Sequence, residues 1–275
     1  MMATVRTPSS LNIVMVQELP VLGAPETNLA SMERALAIHR DADLMVWPEL
    51  FLSGYTTRSV HTHAEALDGT HVARARALAV EHDTAIVVGL IERDGDAIHN
   101  SALAIDRDGR IAGCYRKLQL FGDEARVFLA GQTGSVVSLC GVSVGLLICF
   151  DIEFPEPARA LACAGAALLV SISANMVPFA PDHRLCVQAR ALENRRPHVY
   201  VNQVGQGESH HFTGQSAVAD SAGQIRGECD GETEGFCQLE LSLAVETDIR
   251  PDYLALHPVA ALPVVRGLPR ADMPA

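Results

Sequence analysis

Short apolar runs alternate with segments of helical periodicity along most of the chain. LNIVMVQ (residues 11–17), DLMVW (43–47) and AIVVGLI (85–91) each have the length of one buried strand. Between them lies TNLASMERALAIHR (27–40), a predicted helix with Thr27 or Asn28 as cap and Leu29, Met32 and Leu36 on one face. THVARARALAVEHD (70–83) predicts a second helix. The rhythm recurs downstream. VSVGLLIC (142–149), AALLVSIS (166–173) and HVYVNQV (198–204) read as strands, and PEPARALACAG (155–165) as a helix with Pro near its start and Gly at its end. DHRLCVQARALENRR (182–196) reads as another helix, with Asp182 as cap and Leu185, Ala189 and Leu192 on one face. Such alternation predicts βαβ units in an α/β fold.

One stretch breaks the rhythm. SALAIDRDGRIAGCYRK (101–117) has two strand-like arms around Asp-Arg-Asp-Gly, which is hairpin chemistry, and a loop rich in Gly and charge follows (118–135). SAVADSAGQIRGEC (216–229) echoes it: Asp106, Gly109 and Ile111 have counterparts in Asp220, Gly223 and Ile225. Any two hairpins share such features, so the echo alone does not establish a repeat. No linker or shift of composition divides the chain. One domain over 1–275 is expected, with a core of about 11–245 and a C-terminal arm, 246–275, as a candidate subunit contact.

Composition narrows the class. Hydrophobic residues make up 48% of 275, enough for a large core, and the formal net charge is −12. An acidic chain without clustered Lys and Arg is a poor nucleic-acid binder. MMATVRTPSS lacks the apolar stretch of a secretory leader and no apolar run is long enough to span a bilayer, so no membrane partner is expected. Seven cysteines without a C-x-x-C pattern suggest neither a disulfide framework nor a zinc site, and a reduced, cytoplasmic setting is the plain expectation.

Candidate chemistry gathers where apolar runs end. Cys149 closes VGLLIC and is followed at once by Asp151, Glu153, Pro155 and Glu156. A cysteine there is most often a small buried hydrophobe. In open α/β sheets, however, ligands bind at the carboxyl ends of strands. Cys114, Cys140, Cys163, Cys186, Cys229 and Cys237 lack that setting and read as structural. A thiol attacks as its thiolate and needs a base. None of the eleven His residues stands at a comparable strand end; His61 and His63 lack a third metal ligand. Glu49, in WPELFLSGY, follows another apolar run and is flanked by Leu50, Phe51 and Leu52, so poor solvation would suit it as a general base. Lys117 ends the hairpin arm GCYRK, where a fixed ammonium could stabilise a thiolate and an oxyanion. Gly141-Val142-Ser143-Val144-Gly145 matches the serine-hydrolase G-x-S-x-G elbow, but the strand follows the Ser instead of preceding it.

The three stretches PELFLSGY, YRKLQLFGDE and GLLICFDIEFPE, in that order, resemble the Glu-Lys-Cys motifs of the nitrilase (carbon–nitrogen hydrolase) superfamily. SANM (173–176), RALEN (190–194) and FTGQSAVAD (212–220) support the likeness, which spans 11 to about 240. The resemblance implies a four-layer α-β-β-α sandwich with the active site at one edge of the paired sheets. It implies Glu49 as general base, Lys117 as oxyanion stabiliser and Cys149 as nucleophile, with no metal or organic cofactor. A second Glu after the Lys orients it in many members; Glu124 is the best match, with Asp123 left open. The backbone N–H of Phe150 is expected in the oxyanion hole, and Asn175, Met176 and Tyr55 in the pocket. Gln119 stands where many members have His. Members commonly dimerise or form larger assemblies, so a homo-oligomer is expected.

The superfamily cleaves amides, nitriles or carbamoyl groups. Relatives acting on acidic substrates often carry Arg four residues after the Cys; here Glu153 stands there. An acid would repel a carboxylate and attract an ammonium. CFDIEFPE with SANMVPF looks most like the branch that includes 5-aminopentanamidase and stereoselective amino-amide amidases. The expectation is an amide bearing a free amine, with an N-carbamoyl-amine hydrolase as the alternative and a nitrilase or a catalytically silent member behind it. An ion pair of Glu153 with Arg159 or Arg190 is an equal reading, and Asp151 is expected to be structural, at a helix start or paired with an Arg.

Overall fold

The computed structural model describes residues 8–244 and 253–256. The first half runs β1 (Ser10–Gln17), α1 (Pro25–Ile38), β2 (Leu44–Val46), α2 (Val60–His63), α3 (Thr70–His82), β3 (Ala85–Asp94), β4 (Ala97–Ile105) and β5 (Ile111–Arg116). The second runs β6 (Ser135–Leu139), β7 (Val142–Ile148), α4 (Pro155–Cys163), β8 (Leu168–Ser173), α5 (Ala180–Asn194), β9 (His198–Asn202), β10 (Val204–Gln206), β11 (His211–Thr213), β12 (Ala217–Ala219), β13 (Ile225–Glu228) and β14 (Gly235–Ser242), then α6 (Tyr253–Leu256). The rest of the expected C-terminal arm lies outside the described residues.

Two six-stranded sheets face each other, ordered β14-β1-β2-β3-β4-β5 and β13-β12-β9-β8-β7-β6. Alternation along each strand builds the layers. Ile13 and Met15 of β1 meet Val144, Leu146 and Ile148 of β7 between the sheets. Val14 and Val16 point the other way, into a layer shared with Leu29, Met32 and Leu36 of α1 and Val72 and Leu78 of α3. Leu147 and Leu169 pack outward on Leu161 of α4 and Val187 of α5. Both faces of each central strand are therefore buried, which is why these strands read as unbroken apolar runs. The result is an α-β-β-α sandwich of four layers.

The hairpin echo has a structural basis. In the first sheet β1, β2 and β3 run parallel, and β4 and β5 extend the sheet antiparallel from β3. In the second, β7, β8 and β9 run parallel, and β12 and β13 extend it from β9 in the same way. The turns match: Asp106 N–H donates to Arg110 O and Gly109 N–H to Asp106 O, as Asp220 N–H does to Gln224 O and Gly223 N–H to Asp220 O. Each half thus places the carboxyl ends of its parallel strands at one edge of the sandwich.

Two helix expectations need correction. α1 starts at Pro25, whose fixed φ suits a first helical turn, and Asn28 lies inside the helix, bonded to Val21 and to Leu52 O. α5 starts at Ala180, so Asp182 lies in its first turn. Its buried face is His183, Val187, Arg190, Ala191 and Asn194, while Leu185 is 68% exposed. The apolar stripe pointed the wrong way because the inward face carries polar groups that bond to neighbouring layers.

One of these interior groups makes stability pH-dependent. His198 Nδ1 faces Val187 O and so carries the proton, leaving Nε2 to accept from the Ser171 hydroxyl at 2.6 Å. Burial holds this imidazole neutral, down to about 4. The unfolded chain protonates His near 6.5, so stability is fully present above that value and is lost as pH falls towards 4. The loss is on the order of 3 kcal/mol. In His198→Gln, urea midpoints measured between pH 7 and 4.5 should fall less steeply than in the wild type; parallel slopes would remove His198 from the account.

Candidate active site

Four chain segments meet at the shared sheet edge. Glu49 follows β2, Lys117 follows β5, Cys149 follows β7 and Asn175 follows β8. The Glu49 segment is pinned by Gln203, whose Nε2 donates to Glu49 O at 2.7 Å. It also crosses β3 so closely that a Cβ on Gly89 would stand 2.1 Å from Leu50 N and 2.6 Å from the Glu49 carbonyl carbon. Backbone cannot yield as a side-chain tip can. Gly89→Ala is expected to cost about 1–3 kcal/mol of stability and to reduce turnover at least tenfold by moving Glu49; thermal melts and steady-state kinetics check both.

Lys117 is the centre of a buried polar cluster. Its Nζ donates to Glu49 Oε1 at 2.7 Å and lies 2.8 Å from Glu124 Oε2, and all three side chains are at most 1% exposed. Asn100 Nδ2 adds a bond to Glu49 Oε1 at 2.6 Å. Glu124 also accepts from the Tyr55 hydroxyl at 2.9 Å and from Phe121 N–H at 2.9 Å. Asp123, the other acid of that loop, is exposed and pairs with Arg126. Among the described residues Glu49 Oε2 has no hydrogen-bond partner. One oxygen of this carboxylate is thus tied down, and the other keeps a lone pair for a proton.

Charge shapes the titration of the cluster. Burial raises the Glu49 carboxyl, offset in part by Lys117. Burial works against the Lys117 ammonium, but Glu124 and Glu49 hold it well above its ordinary value. Burial pushes the Cys149 thiol up, the negative charge of Glu49 pushes it further, and Lys117 opposes both. The thiol is therefore protonated at neutral pH and needs a base beside it.

Cys149 sits at a sharp turn. Its φ is +46°, a left-handed conformation that costs a non-Gly residue about 1–3 kcal/mol. Asp151 holds this turn: Oδ2 accepts from Ile148 N–H at 2.9 Å and from the Tyr115 hydroxyl at 2.7 Å, and Oδ1 from Gln119 N–H at 2.8 Å. Asp151 therefore ties the Cys149 turn to the strand and loop that carry Lys117. Of its two expected structural roles it fills the first: it stands in the opening turn of the 3-10 helix Cys149–Glu153 and accepts from the Ile148 N–H that precedes it, and its other partners are a phenol and a backbone amide, with no Arg among them.

The sulfur opens into a narrow pocket lined by Phe121, Phe150, Glu153, Asn175, Met176, Phe179 and His183. Tyr55, expected in this wall, is not part of it; its hydroxyl supports Glu124 instead. Phe150 stacks edge-on against Phe121 and Phe154. Asn175 N–H donates to Asn202 Oδ1 at 2.7 Å, which fixes the loop after β8. Glu153 pairs with neither expected Arg. Arg190 bonds its backbone carbonyl and the Glu193 carboxylate, Arg159 bonds Glu193 O, and the Glu153 carboxylate lies 3.3 Å from His183 Nε2. Ser143 is exposed on β7 opposite Ser138, at the far end of that strand from Cys149.

Asn100, Gln203, Tyr115 and His183 were not singled out from sequence. Their only signal is a polar residue inside an apolar or helical run, and that signal does not say which partner it will meet. Among the described residues no group of three His, Cys, Asp or Glu side chains could hold a metal ion, and no helix is long and apolar enough to cross a membrane.

Comparison with known proteins agrees with this geometry. The carbon-nitrogen hydrolase family model matches residues 12–251. An (R)-stereoselective amidase from a Pseudomonas species is 38% identical over 215 residues, which cover 78% of each chain. A Pseudomonas protegens protein named as a hydrolase in the pqqF 5′ region is 42% identical over 197 residues, 70% of this chain and 69% of that one. Among solved structures, an amidase from Nesterenkonia sp. superposes with a TM-score of 0.82 at 30% identity, over 92% of this chain and 95% of that one. A variant of that amidase carries the acetamide moiety of fluoroacetamide added covalently at its active-site cysteine. With the family model spanning nearly all of it and Glu49, Lys117 and Cys149 gathered at one sheet edge, this chain belongs to the carbon-nitrogen hydrolase family, the nitrilase superfamily.

Proposed function

We propose that the protein is an amidase that hydrolyses a small aliphatic amide bearing a free amine, an ω-amino amide or an amino-acid amide, through a thioester on Cys149. The observation that carries this reading is the buried Glu49–Lys117–Glu124 cluster beside a thiol at a pocket whose wall includes an acid.

Glu49 Oε2 takes the thiol proton as sulfur attacks the amide carbon. Lys117 and the Phe150 backbone N–H stabilise the oxyanion. Glu49 returns the proton to the departing nitrogen, and ammonia leaves. Glu49 then removes a proton from water, whose oxygen attacks the thioester; collapse releases the carboxylic acid and restores the thiol. Glu124 keeps Lys117 placed and charged throughout.

Glu153 is assigned to the substrate ammonium. It is about one-third exposed, so water screens it. Glu153→Gln should raise KM for an ω-amino amide about fivefold and leave a neutral amide of equal length unchanged. An equal change for both would make the residue structural. Ammonia release from ω-amino amides, neutral amides, nitriles and carbamoyl amines tests the substrate class. Carbon dioxide released with ammonia would indicate the carbamoyl reading instead. Loss of turnover in Ser143→Ala but not in Cys149→Ala would overturn the nucleophile. A reduced, cytoplasmic setting belongs to the same proposal, and seven unpaired thiols support it. So does a homo-oligomer, for which sedimentation is the measurement.

A further inference from the structure

Among the described residues Glu153 is the one acid lining the sulfur's pocket, and no Lys or Arg lines it. Phe121, Phe150 and Phe179 line it too, and each is half-buried. The Phe121 ring centroid lies 5.3 Å from that of Phe150 and 5.8 Å from that of Phe179, with its plane turned 73° and 74° from theirs. Edge-to-face packing of this kind is attractive and fixes ring orientations. The three rings come from the loop after β5, the turn after β7 and the segment before α5, and they form one aromatic wall beside the carboxylate.

Hydrogen-bond acceptors in the same wall are scarce. Glu153 Oε1 lies 3.3 Å from His183 Nε2, and the Glu153 carbonyl accepts from Arg190. His183 Nδ1 faces the Tyr200 hydroxyl at 2.9 Å. Asn175 Oδ1 accepts from Met176 N–H at 3.0 Å. The carbonyls of Phe121, Met176 and Phe179 accept from the N–H groups of Glu124, Phe179 and His183. Among the described residues Glu153 Oε2 is the carboxylate oxygen of this wall left without a partner. A primary ammonium brings three N–H donors. Each one turned towards a ring gives up the bond it had in water.

We propose that this site takes an amide whose amine is N-alkylated, a dimethylammonium above all, with its one N–H on Glu153 and its methyl groups against the faces of Phe121, Phe150 and Phe179. This rests on the reading of the substrate as an amine-bearing amide and narrows it to one kind of amine. A tertiary ammonium matches the supply of acceptors: one donor meets one free oxygen. Its charge is spread over the methyl groups, and ring faces attract such a cation through their quadrupole. A neutral branched chain of the same shape would fill the same space without either attraction. A primary ammonium would keep the charge but strand two donors. Phe179 is then a specificity-determining residue: it meets the amine end of the substrate and takes no part in the bond changes at Cys149.

Three amides on one skeleton test the proposal, ending in amino, dimethylamino or isopropyl. Each is offered with spacers of one, two and four methylenes at pH 7, where both amines carry charge. At the spacer that fits best, ammonia release should give the dimethylamino amide a kcat/KM about fivefold above the isopropyl amide and about threefold above the primary amine. Phe179→Leu keeps an apolar wall but removes a ring face. It should cut the advantage of dimethylamino over isopropyl about threefold and leave the isopropyl amide itself within about twofold of the wild type. Phe121→Leu, in another segment, should do the same. A primary amine hydrolysed at least as well as the dimethylamino amide, with both above isopropyl, would overturn the aromatic site and leave the amine-bearing reading standing. So would a loss in Phe179→Leu that is equal for all three amides. An isopropyl amide hydrolysed faster than either amine would overturn the amine-bearing reading itself.

Discussion

Glu49→Gln is expected to lower turnover roughly a thousandfold, within the span associated with removing a general base, while the fold survives. The amide keeps the shape of the acid. Its oxygen can still accept from Lys117 and Asn100, which now hold Glu49 Oε1 at 2.7 and 2.6 Å. What is lost is the second oxygen, buried and without a partner among the described residues. The pH profile carries the diagnosis. Burial places the Glu49 carboxyl above its ordinary value of 4.5, so the wild-type rate should fall as pH drops through that raised value and protonates the base. The residual activity of Glu49→Gln should lack this acid limb. The charge change also reaches the thiol: Glu49 pushes Cys149 up, so without that charge the free thiol should become more acidic and alkylate faster at neutral pH. A variant that turns over slowly yet alkylates faster separates loss of the base from damage to the nucleophile. Turnover within tenfold of the wild type would assign the base elsewhere.

How much of this centre was legible in the sequence depends on where each residue stands. Glu49 and Cys149 terminate apolar runs, and Lys117 ends a hairpin arm; those are local signals. Alternation of strands and helices predicted an α/β fold, and the four-layer sandwich was implied by the family resemblance alone. The resemblance favoured Glu124 and left Asp123 open, because only the 3-10 turn Gly122–Arg126 decides which acid points inward. The face of α5 was misread for a related reason: periodicity arguments rank faces by apolar content, and this helix buries His183, Arg190 and Asn194. Tyr115, Tyr200 and Ser173 lie in apolar strands, where a polar residue signals some buried bond. Their partners come from segments 27 to 36 residues away, a distance at which local pattern says nothing.

Lys117→Met should damage the fold as well as the reaction. Glu49 and Glu124 are both fully buried, and among the described residues Lys117 is the one cation bonded to the two of them. Remove it, and two carboxylates face each other in a medium that stabilises neither. Breaking a buried pair in this way costs about 3–5 kcal/mol, which for a chain of this size lowers the melting temperature by about 10 °C. The sign with pH follows from linkage. Without the ammonium the Glu49 carboxyl, already raised by burial, rises further above its unfolded value, so stability is greatest where it is protonated and is lost as pH rises through the raised value. The deficit against the wild type should therefore be largest near pH 8 and shrink towards pH 5. A second substitution isolates the cause. Adding Glu124→Gln leaves one acid in the cavity and should recover most of the stability at pH 8, while turnover stays at background because the oxyanion still lacks its cation. If Lys117→Met alone melted within 2 °C of the wild type at pH 8, the cluster would not be the dry, mutually dependent unit that its geometry describes.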